Sequence, residues 1–334
     1  MRETAVELTV LDPARVFGEV VLGQDVVRPR PGPPFEWRDG AWRLEFARPN
    51  VDRLEYLVGI DGTFQPDPAN PLRAPGPFGD KSVIEWPEYR RPAWLDSIAD
   101  AGALEPVEIR CRRLVARVQV LIYSTPDPPA ADAPLLLVHD GPEYAQYAGL
   151  TRFLDVMSWE ERIPPLRAAL VQPVDRNEIY SASALYSAAL ARELLPEIAK
   201  RAPHGPRIGM GASLGALALL HAHSRHPRLF DGLLLQSGSF FRQRFDRYES
   251  AFPRYRRITR FVGTALRGLD ADPIPIALTC GTGEENRANN EALASALVAH
   301  GHPAWLALVR DGHTWTCWRD GFDPNLPTLI EAVT

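Results

Sequence analysis

The sequence predicts an α/β domain with a mostly parallel sheet, preceded by a small all-β domain. Short, wholly apolar runs alternate with helical patterns after residue 107, as expected for strands buried on both faces. Before residue 95, short stretches alternate apolar and polar residues between turn signals, which is typical of a β-sandwich. The 334 residues are 45% hydrophobic and 24% charged, enough for a sizeable core. We therefore predict domains at 1–95 and 107–334, with a linker at 96–106.

The N-terminal strands are predicted from a period of two residues. In Ala41–Ala47, Trp42, Leu44 and Phe46 fall on one face, the pattern of a half-buried strand. Further strands are predicted at 4–11, 16–22, 54–60 and 82–86. The segment 64–79 contains too many prolines for a helix or a central strand. The tryptophans nearby are interpreted as core or as a stacking platform for a glycan: Trp37, Trp42, Trp86 and Trp94.

The C-terminal elements follow one another as strand and helix. Strands are predicted as two stretches within 108–123 and at 135–138, 167–172, 207–210, 232–235, 274–279 and 305–309. Helices are predicted at 150–160, 186–200, 214–223 and 289–300. An arginine-rich and aromatic segment within 240–273 is open to two interpretations: a site for an anionic aromatic acyl group, or an amphipathic surface helix.

Composition excludes several classes of function. Lys and Arg total 37 against 42 Asp and Glu, for a net charge of −5, which disfavours a nucleic-acid binder. No window reaches the roughly 18 unbroken apolar residues of a membrane span, and no secretory signal is visible. Three cysteines without disulfide or metal-ligand spacing fit a reducing compartment. We expect a cytoplasmic protein without a cofactor or metal, and the sequence leaves its oligomeric state open.

The sharpest motif is Gly211-Ala-Ser-Leu-Gly215, between an apolar strand and an apolar helix. This G-x-S-x-G pattern is typical of a strained turn that exposes a nucleophilic serine, and the glycines avoid clashes two residues away. Ser213 is therefore the candidate nucleophile. The N-terminal amides of the following helix, Leu214 first, are candidate donors to an oxyanion.

A serine nucleophile needs a base and an acid, which follow it in the chain order of this fold. His313 is the preferred base because it lies on a loop directly after the last apolar strand. The acid is expected after strand 274–279, where Glu284 and Glu285 are adjacent. Either would hold the imidazole in the correct tautomer, and Glu284 is preferred over Glu285 and Asp311.

Several motifs also resemble known families. Segments 58–62, 66–71 and 78–83 are similar to the early-set, immunoglobulin-like domain of glycogen-branching-type enzymes. Asp140-Gly141, 235–239, Cys280-Gly281 with an acid three residues later, and Asp311-Gly-His313 resemble the Putative esterase family, which includes enterochelin and feruloyl esterases and mycolyltransferases. The resemblance implies an α/β-hydrolase fold and Glu284 as the triad acid. It also implies an oxyanion donor just after Asp140-Gly141, where Pro142 has no N–H and leaves Gly141 or Glu143.

These observations predict a serine carboxylic-ester hydrolase that works through an acyl-enzyme. The resemblance implies a small-molecule ester substrate, siderophore-like or carrying an aromatic acyl group. Trp315, Trp318 and Arg176 are expected to contact this substrate, although Trp318 is also interpreted as structural. Two alternatives stay open: an acyltransferase with the same triad, and a non-catalytic carbohydrate-binding protein with a relic hydrolase domain.

Overall fold

The computed structural model describes residues 5–26, 33–269 and 271–334. The chain divides into two compact units. The first contains Met1–Arg90 with two later segments, Gly281–Glu285 and Val309–Cys317, and the second contains Arg91–Cys280, Asn286–Leu308 and Trp318–Thr334. The domain boundaries near residues 95 and 107 remain a proposal.

The first unit is built from antiparallel strands. They are β1 (Ala5–Leu11), β2 (Val20–Gly23), β3 (Glu36–Arg38), β4 (Ala41–Ala47), β5 (Arg53–Ile60), β6 (Thr63–Gln65), β7 (Arg73–Ala74) and β8 (Lys81–Glu85). One sheet has the order β1-β4-β3, and the other has the order β2-β5-β8-β7 with β6 paired to β5. The all-β prediction is confirmed, although residue 4 of its first predicted strand lies outside the described residues.

The two sheets of this unit share one apolar core. Leu8 and Leu44 from the first sheet belong to the same buried cluster as Leu22, Tyr56 and Val58 from the second. The period of two in β4 explains the arrangement, because alternate side chains of a strand point to opposite faces of its sheet. The unit is therefore a β-sandwich.

The tryptophans do not form a stacking platform. Trp42 and Trp94 are buried, each less than a tenth exposed. The rings of Trp37 and Trp86 are covered by arginine guanidinium groups, whose carbons lie 4.8 and 4.7 Å from the ring centres. All four side chains pack as core or are capped by cations, so the core interpretation holds.

The second unit is organised around one eight-stranded sheet. Its strands are β9 (Ala103–Cys111), β10 (Ala116–Ser124), β11 (Leu135–His139), β12 (Arg167–Val171), β13 (Arg207–Ala212), β14 (Gly232–Gln236), β15 (Ile276–Gly281) and β16 (Ala304–Val309), in the order β16-β15-β14-β13-β11-β12-β10-β9. The pairs from β12 through β15 are parallel, and β9 and β10 form an antiparallel edge. The predicted mostly parallel sheet is confirmed.

In the part of the chain that the structure describes, ten α-helices accompany this sheet. They are α1 (Gly141–Tyr147), α2 (Leu150–Trp159), α3 (Arg176–Ile179), α4 (Ala184–Ala189), α5 (Leu195–Ala199), α6 (Leu214–Arg225), α7 (Tyr255–Ala265), α8 (Arg287–Ala299), α9 (Trp315–Asp320) and α10 (Asn325–Val333). Short 3-10 turns occur at Ala93–Leu95 and Arg247–Ala251. Over the described ranges, none of these helices is long and apolar enough to span a membrane.

Two local predictions differ from the structure. The helix predicted at 186–200 is interrupted by a π-helical turn at Leu190–Leu194. Pro196 follows this turn, and because proline has no N–H the regular hydrogen-bond pattern cannot run through it. Strand β9 begins at Ala103, inside the segment predicted as a linker, because Ala103–Cys111 pairs along its whole length with β10.

Candidate active site

Ser213 occupies a strained turn between β13 and α6. Its backbone has φ +55° and ψ −121°, a conformation that L-residues with a side chain rarely adopt. Its N–H donates to the Gln236 carbonyl at 2.9 Å, which ties the turn to β14. A Cβ at Gly211 would lie 2.9 Å from the Gly215 backbone, so the motif glycine is required by this close approach. The predicted strand–turn–helix arrangement is present, with Leu214 as the first residue of α6.

The hydroxyl of Ser213 already has a partner. Ser239 Oγ lies 3.0 Å from Ser213 Oγ, and the Ser239 N–H donates to the Ser213 carbonyl at 3.1 Å. Ser239 is buried, and it follows β14 in the 235–239 motif. Sequence reasoning quoted that motif but did not assign this residue. The signal that could have indicated Ser239 is the 235–239 motif itself, because Ser239 is the last residue with a hydroxyl group in it.

A buried histidine is hydrogen-bonded to the first turn of α6, directly after Ser213. His139, the last residue of β11, donates from Nδ1 to the Gly215 carbonyl at 3.0 Å and accepts at Nε2 from the Tyr186 hydroxyl at 2.7 Å. Burial lowers the pKa of His139 to about 3. The imidazole is therefore neutral at physiological pH, and its two hydrogen bonds define one tautomer. It holds the first turn of α6 against β11.

Arg176 contacts a carboxylate in this structure. Its guanidinium donates to both oxygens of Asp140, with distances between 2.8 and 3.0 Å. Burial lowers the pKa of Arg176, but the Asp140 carboxylate outweighs this effect and holds it above its ordinary value. Asp140 precedes Gly141 at the start of α1, in the left-handed region with φ +52°. A Cβ at Gly141 would lie 2.3 Å from Leu170 Cα, so glycine alone fits there.

His313 and Glu284 are brought together in the first unit. His313 Nδ1 lies 2.7 Å from Glu284 Oε2, and Glu284 Oε1 accepts from the Gly281 N–H at 2.7 Å. The Glu284 side chain is 1% exposed and the His313 side chain 34% exposed. A neutral imidazole that donates from Nδ1 has its lone pair on Nε2, the form a general base needs. Glu284, rather than its neighbour Glu285, makes this contact.

The two tryptophans beside His313 differ in burial. Trp315 is half-buried at the start of α9. Trp318 is 6% exposed, and its indole N–H donates to Ser237 Oγ at 3.0 Å. Its carbonyl accepts from the Gln236 amide at 2.9 Å. These contacts fit the structural interpretation of Trp318.

The arginine-rich segment forms the amphipathic helix α7. Ile258 and Val262 are buried in the main core, while arginines occupy the outer face. Arg254 and Arg257 both form ion pairs with Glu178 on α3. An amphipathic helix is therefore present at Tyr255–Ala265, and a site for an anionic aromatic acyl group within 240–273 stays a prediction. Within the described ranges, no group of three or more His, Cys, Asp or Glu side chains has the arrangement of a metal site.

Comparison with known proteins places the chain in a family. Residues 112–329 match the family model described as Putative esterase. The chain is 27% identical over 301 residues to the iron(III) enterobactin esterase of Escherichia coli O6:H1 strain CFT073, covering 86% of this chain and 74% of that protein. It is 30% identical over 249 residues to the iron(III) enterobactin esterase of Dickeya dadantii strain 3937, covering 69% of this chain and 56% of that protein.

Solved structures share the fold over almost the full length. The enterobactin esterase of Shigella flexneri, crystallised in the presence of enterobactin, has a TM-score of 0.78 and 21% sequence identity to this chain. The alignment covers 99% of this chain and 94% of that protein. At this identity the likeness establishes the fold, an N-terminal β-sandwich followed by an α/β-hydrolase domain.

Proposed function

Because the chain belongs to the Putative esterase family, we propose that it is a serine carboxylic-ester hydrolase that works through an acyl-enzyme. The observation that carries the proposal is the backbone of Ser213, strained at the N-terminus of a twelve-residue helix within G-x-S-x-G. The strain supports a functional role for Ser213, since strained backbone conformations are concentrated at active sites. His313 and Glu284 supply the remaining residue types in the expected chain order.

The reaction begins at the Ser213 hydroxyl. His313 Nε2 takes its proton as Oγ attacks the ester carbonyl, and Glu284 stabilises the imidazolium through Nδ1. The tetrahedral oxyanion accepts hydrogen bonds from the Leu214 and Gly141 amides, at the N-termini of α6 and α1. His313 then protonates the leaving alcohol. Water activated by the same histidine hydrolyses the acyl-enzyme and restores Ser213.

The substrate proposal is a small ester, siderophore-like or with an aromatic acyl group. This proposal is supported by the two relatives described above, because both are iron(III) enterobactin esterases. Trp315 is the proposed substrate contact, because it is half-buried beside His313. Arg176 acts on the site by holding Asp140 next to Gly141. The three cysteines are buried, and their odd number and lack of disulfide spacing support the cytoplasm as the proposed compartment.

The test is hydrolysis of p-nitrophenyl butyrate and of enterobactin by the wild type and by Ser213→Ala and His313→Ala. Both variants are expected to lose at least about a thousandfold in kcat, because each removes a member of one catalytic unit. Ser295→Ala and His300→Ala are matched controls on the exposed end of α8 and should retain full activity. Equal activity in all five proteins would overturn the proposal. Product analysis with an added alcohol separates a hydrolase from an acyltransferase.

A further inference from the structure

The segments that carry Glu284 and His313 are bonded to the N-terminal sandwich within the first unit. Thr282 Oγ1 donates to the Asn50 carbonyl at 2.7 Å. Arg310 donates from Nε to Asp52 Oδ1 and from Nη1 to Asn50 Oδ1, both at 2.8 Å. The Asp52 N–H donates in return to the Arg310 carbonyl at 2.7 Å. Four hydrogen bonds therefore fix these segments to the turn that precedes β5.

Apolar contacts also join these two segments to the sandwich. A Cβ at Gly283 would lie 2.8 Å from Val26 Cγ1 and 2.9 Å from Val51 Cγ1. A Cβ at Gly312 would lie 2.8 Å from Val26 Cγ2. Real Cβ atoms do not approach so closely, so the backbone directly before Glu284 and directly before His313 packs on sandwich valines. Such contacts leave these two segments little freedom to shift.

A buried ion pair also links the sandwich to the segment that contains His313. Arg53, the first residue of β5, has Nη1 3.5 Å from Asp311 Oδ2 and 2.7 Å from Glu55 Oε1. The side chains of Arg53 and Asp311 are 5% and 4% exposed. Burial lowers the pKa of Arg53, but the Glu55 and Asp311 carboxylates outweigh it and hold the pKa above its ordinary value. Water screens this pair poorly, so it restrains Asp311 strongly.

Asp311 in turn organises the turn that contains His313. Its Oδ1 accepts from the Gly312 N–H at 2.6 Å, and its Oδ2 accepts from Thr314 Oγ1 at 3.4 Å. The Asp311 carbonyl accepts from the Gly283 N–H at 3.1 Å, which joins this turn to the segment of Glu284. One carboxylate thus contacts the residues on both sides of His313.

We propose that Arg53 is a positioning residue of the N-terminal sandwich, which sets the His313–Glu284 pair through Asp311. The sandwich then serves as a scaffold for the catalytic base. This inference rests on the proposed hydrolase function. It goes beyond that function by giving the first unit a role in the reaction.

The experiment measures kcat and KM for p-nitrophenyl butyrate in the wild type, Arg53→Met, Arg53→Lys and Arg310→Met. A base displaced by about 1 Å loses roughly 10- to 100-fold in rate, and this loss is expected in the kcat of Arg53→Met with KM little changed. Arg53→Lys keeps the charge and should recover most of the lost kcat. Arg310→Met affects a half-exposed side chain, so it keeps the test valid if Arg53→Met does not fold.

Two further measurements separate positioning from loss of stability. Arg73→Met is the matched control, because the hydrogen bonds of Arg73 to described residues lie within the sandwich, to the Asp67 carbonyl and Ser82 Oγ among others. It should lower the unfolding temperature without lowering kcat. The rate at which a fluorophosphonate labels Ser213 should fall with kcat in Arg53→Met.

The outcomes distinguish the two proposals. A wild type that neither hydrolyses esters nor takes up the fluorophosphonate overturns the proposed function, and this inference with it. An active wild type whose Arg53→Met and Arg310→Met variants keep kcat within about twofold overturns the positioning role alone. An equal loss of kcat in Arg73→Met also overturns it, since general destabilisation would then explain the effect.

Discussion

Replacing Glu284 by glutamine removes one charge beside His313 and keeps the volume of the side chain. In the protein both carboxylate oxygens accept a hydrogen bond, Oε1 from the Gly281 N–H and Oε2 from His313 Nδ1, each at 2.7 Å. A glutamine amide has one acceptor oxygen and one NH₂ group. It must therefore turn the NH₂ toward either the Gly281 amide or the His313 ring.

Only one orientation of the glutamine amide leaves both the Gly281 N–H and His313 Nδ1 hydrogen-bonded. With the oxygen toward the Gly281 N–H, the NH₂ faces His313 Nδ1, which must then be unprotonated. The ring proton moves to Nε2, and His313 can no longer accept the proton of Ser213. A triad held in this wrong tautomer loses about 10⁴-fold in kcat, which corresponds to ~5 kcal/mol of transition-state stabilisation. We expect Glu284→Gln to show a loss of this order.

The assay is p-nitrophenyl butyrate hydrolysis, with thermal unfolding by circular dichroism as the check on folding. Glu285→Gln is the matched control, since it makes the same chemical change one residue along the chain, whereas Glu284 makes the 2.7 Å contact with His313 Nδ1. It should keep kcat within about threefold. The reasoning is refuted if Glu284→Gln stays within about tenfold of the wild type, or if Glu285→Gln loses as much.

Two other predictions follow from the buried polar groups around the Ser213 turn. Ser239→Ala removes the 3.0 Å contact with Ser213 Oγ, and because one hydrogen bond contributes about 1 kcal/mol, kcat/KM should fall roughly fivefold. Unchanged kcat/KM would exclude a role for Ser239. His139, with its pKa lowered to about 3, stays neutral when folded while the unfolded chain binds a proton below pH 6.5. His139 should therefore contribute about 1.4 kcal/mol per pH unit to the fall in the free energy of unfolding as pH drops from 6.5 toward 4, and His139→Gln should lower the slope by this amount in urea titrations.

Local patterns in the sequence predicted much of the fold. The period of two in Ala41–Ala47 and the apolar runs of the parallel strands could be recognised because burial on one face or both faces leaves a mark within a few residues. The position of Ser213 was predictable for the same reason, since the turn requires glycine at fixed offsets. The π-helical turn and the two-residue strand β7 depend on single backbone groups and leave weaker patterns.

Contacts between distant parts of the chain required the tertiary structure. Ser239 is 26 residues from Ser213, and Arg310 is 258 residues from Asp52. No local periodicity records such contacts, because they depend on which strands lie side by side and on which loops pack together.

The choice between Glu284 and Glu285 shows the same limit within two residues. Both are glutamates, and they lie only three and four residues after Gly281 at the end of β15. The Gly281 N–H decides between them, because its hydrogen bond to Glu284 Oε1 turns the other oxygen toward His313. The sequence by itself determined which residue types are available for the proposed triad and in what order they follow along the chain. The tertiary structure decided which atoms meet, because hydrogen-bond geometry depends on backbone direction rather than residue type.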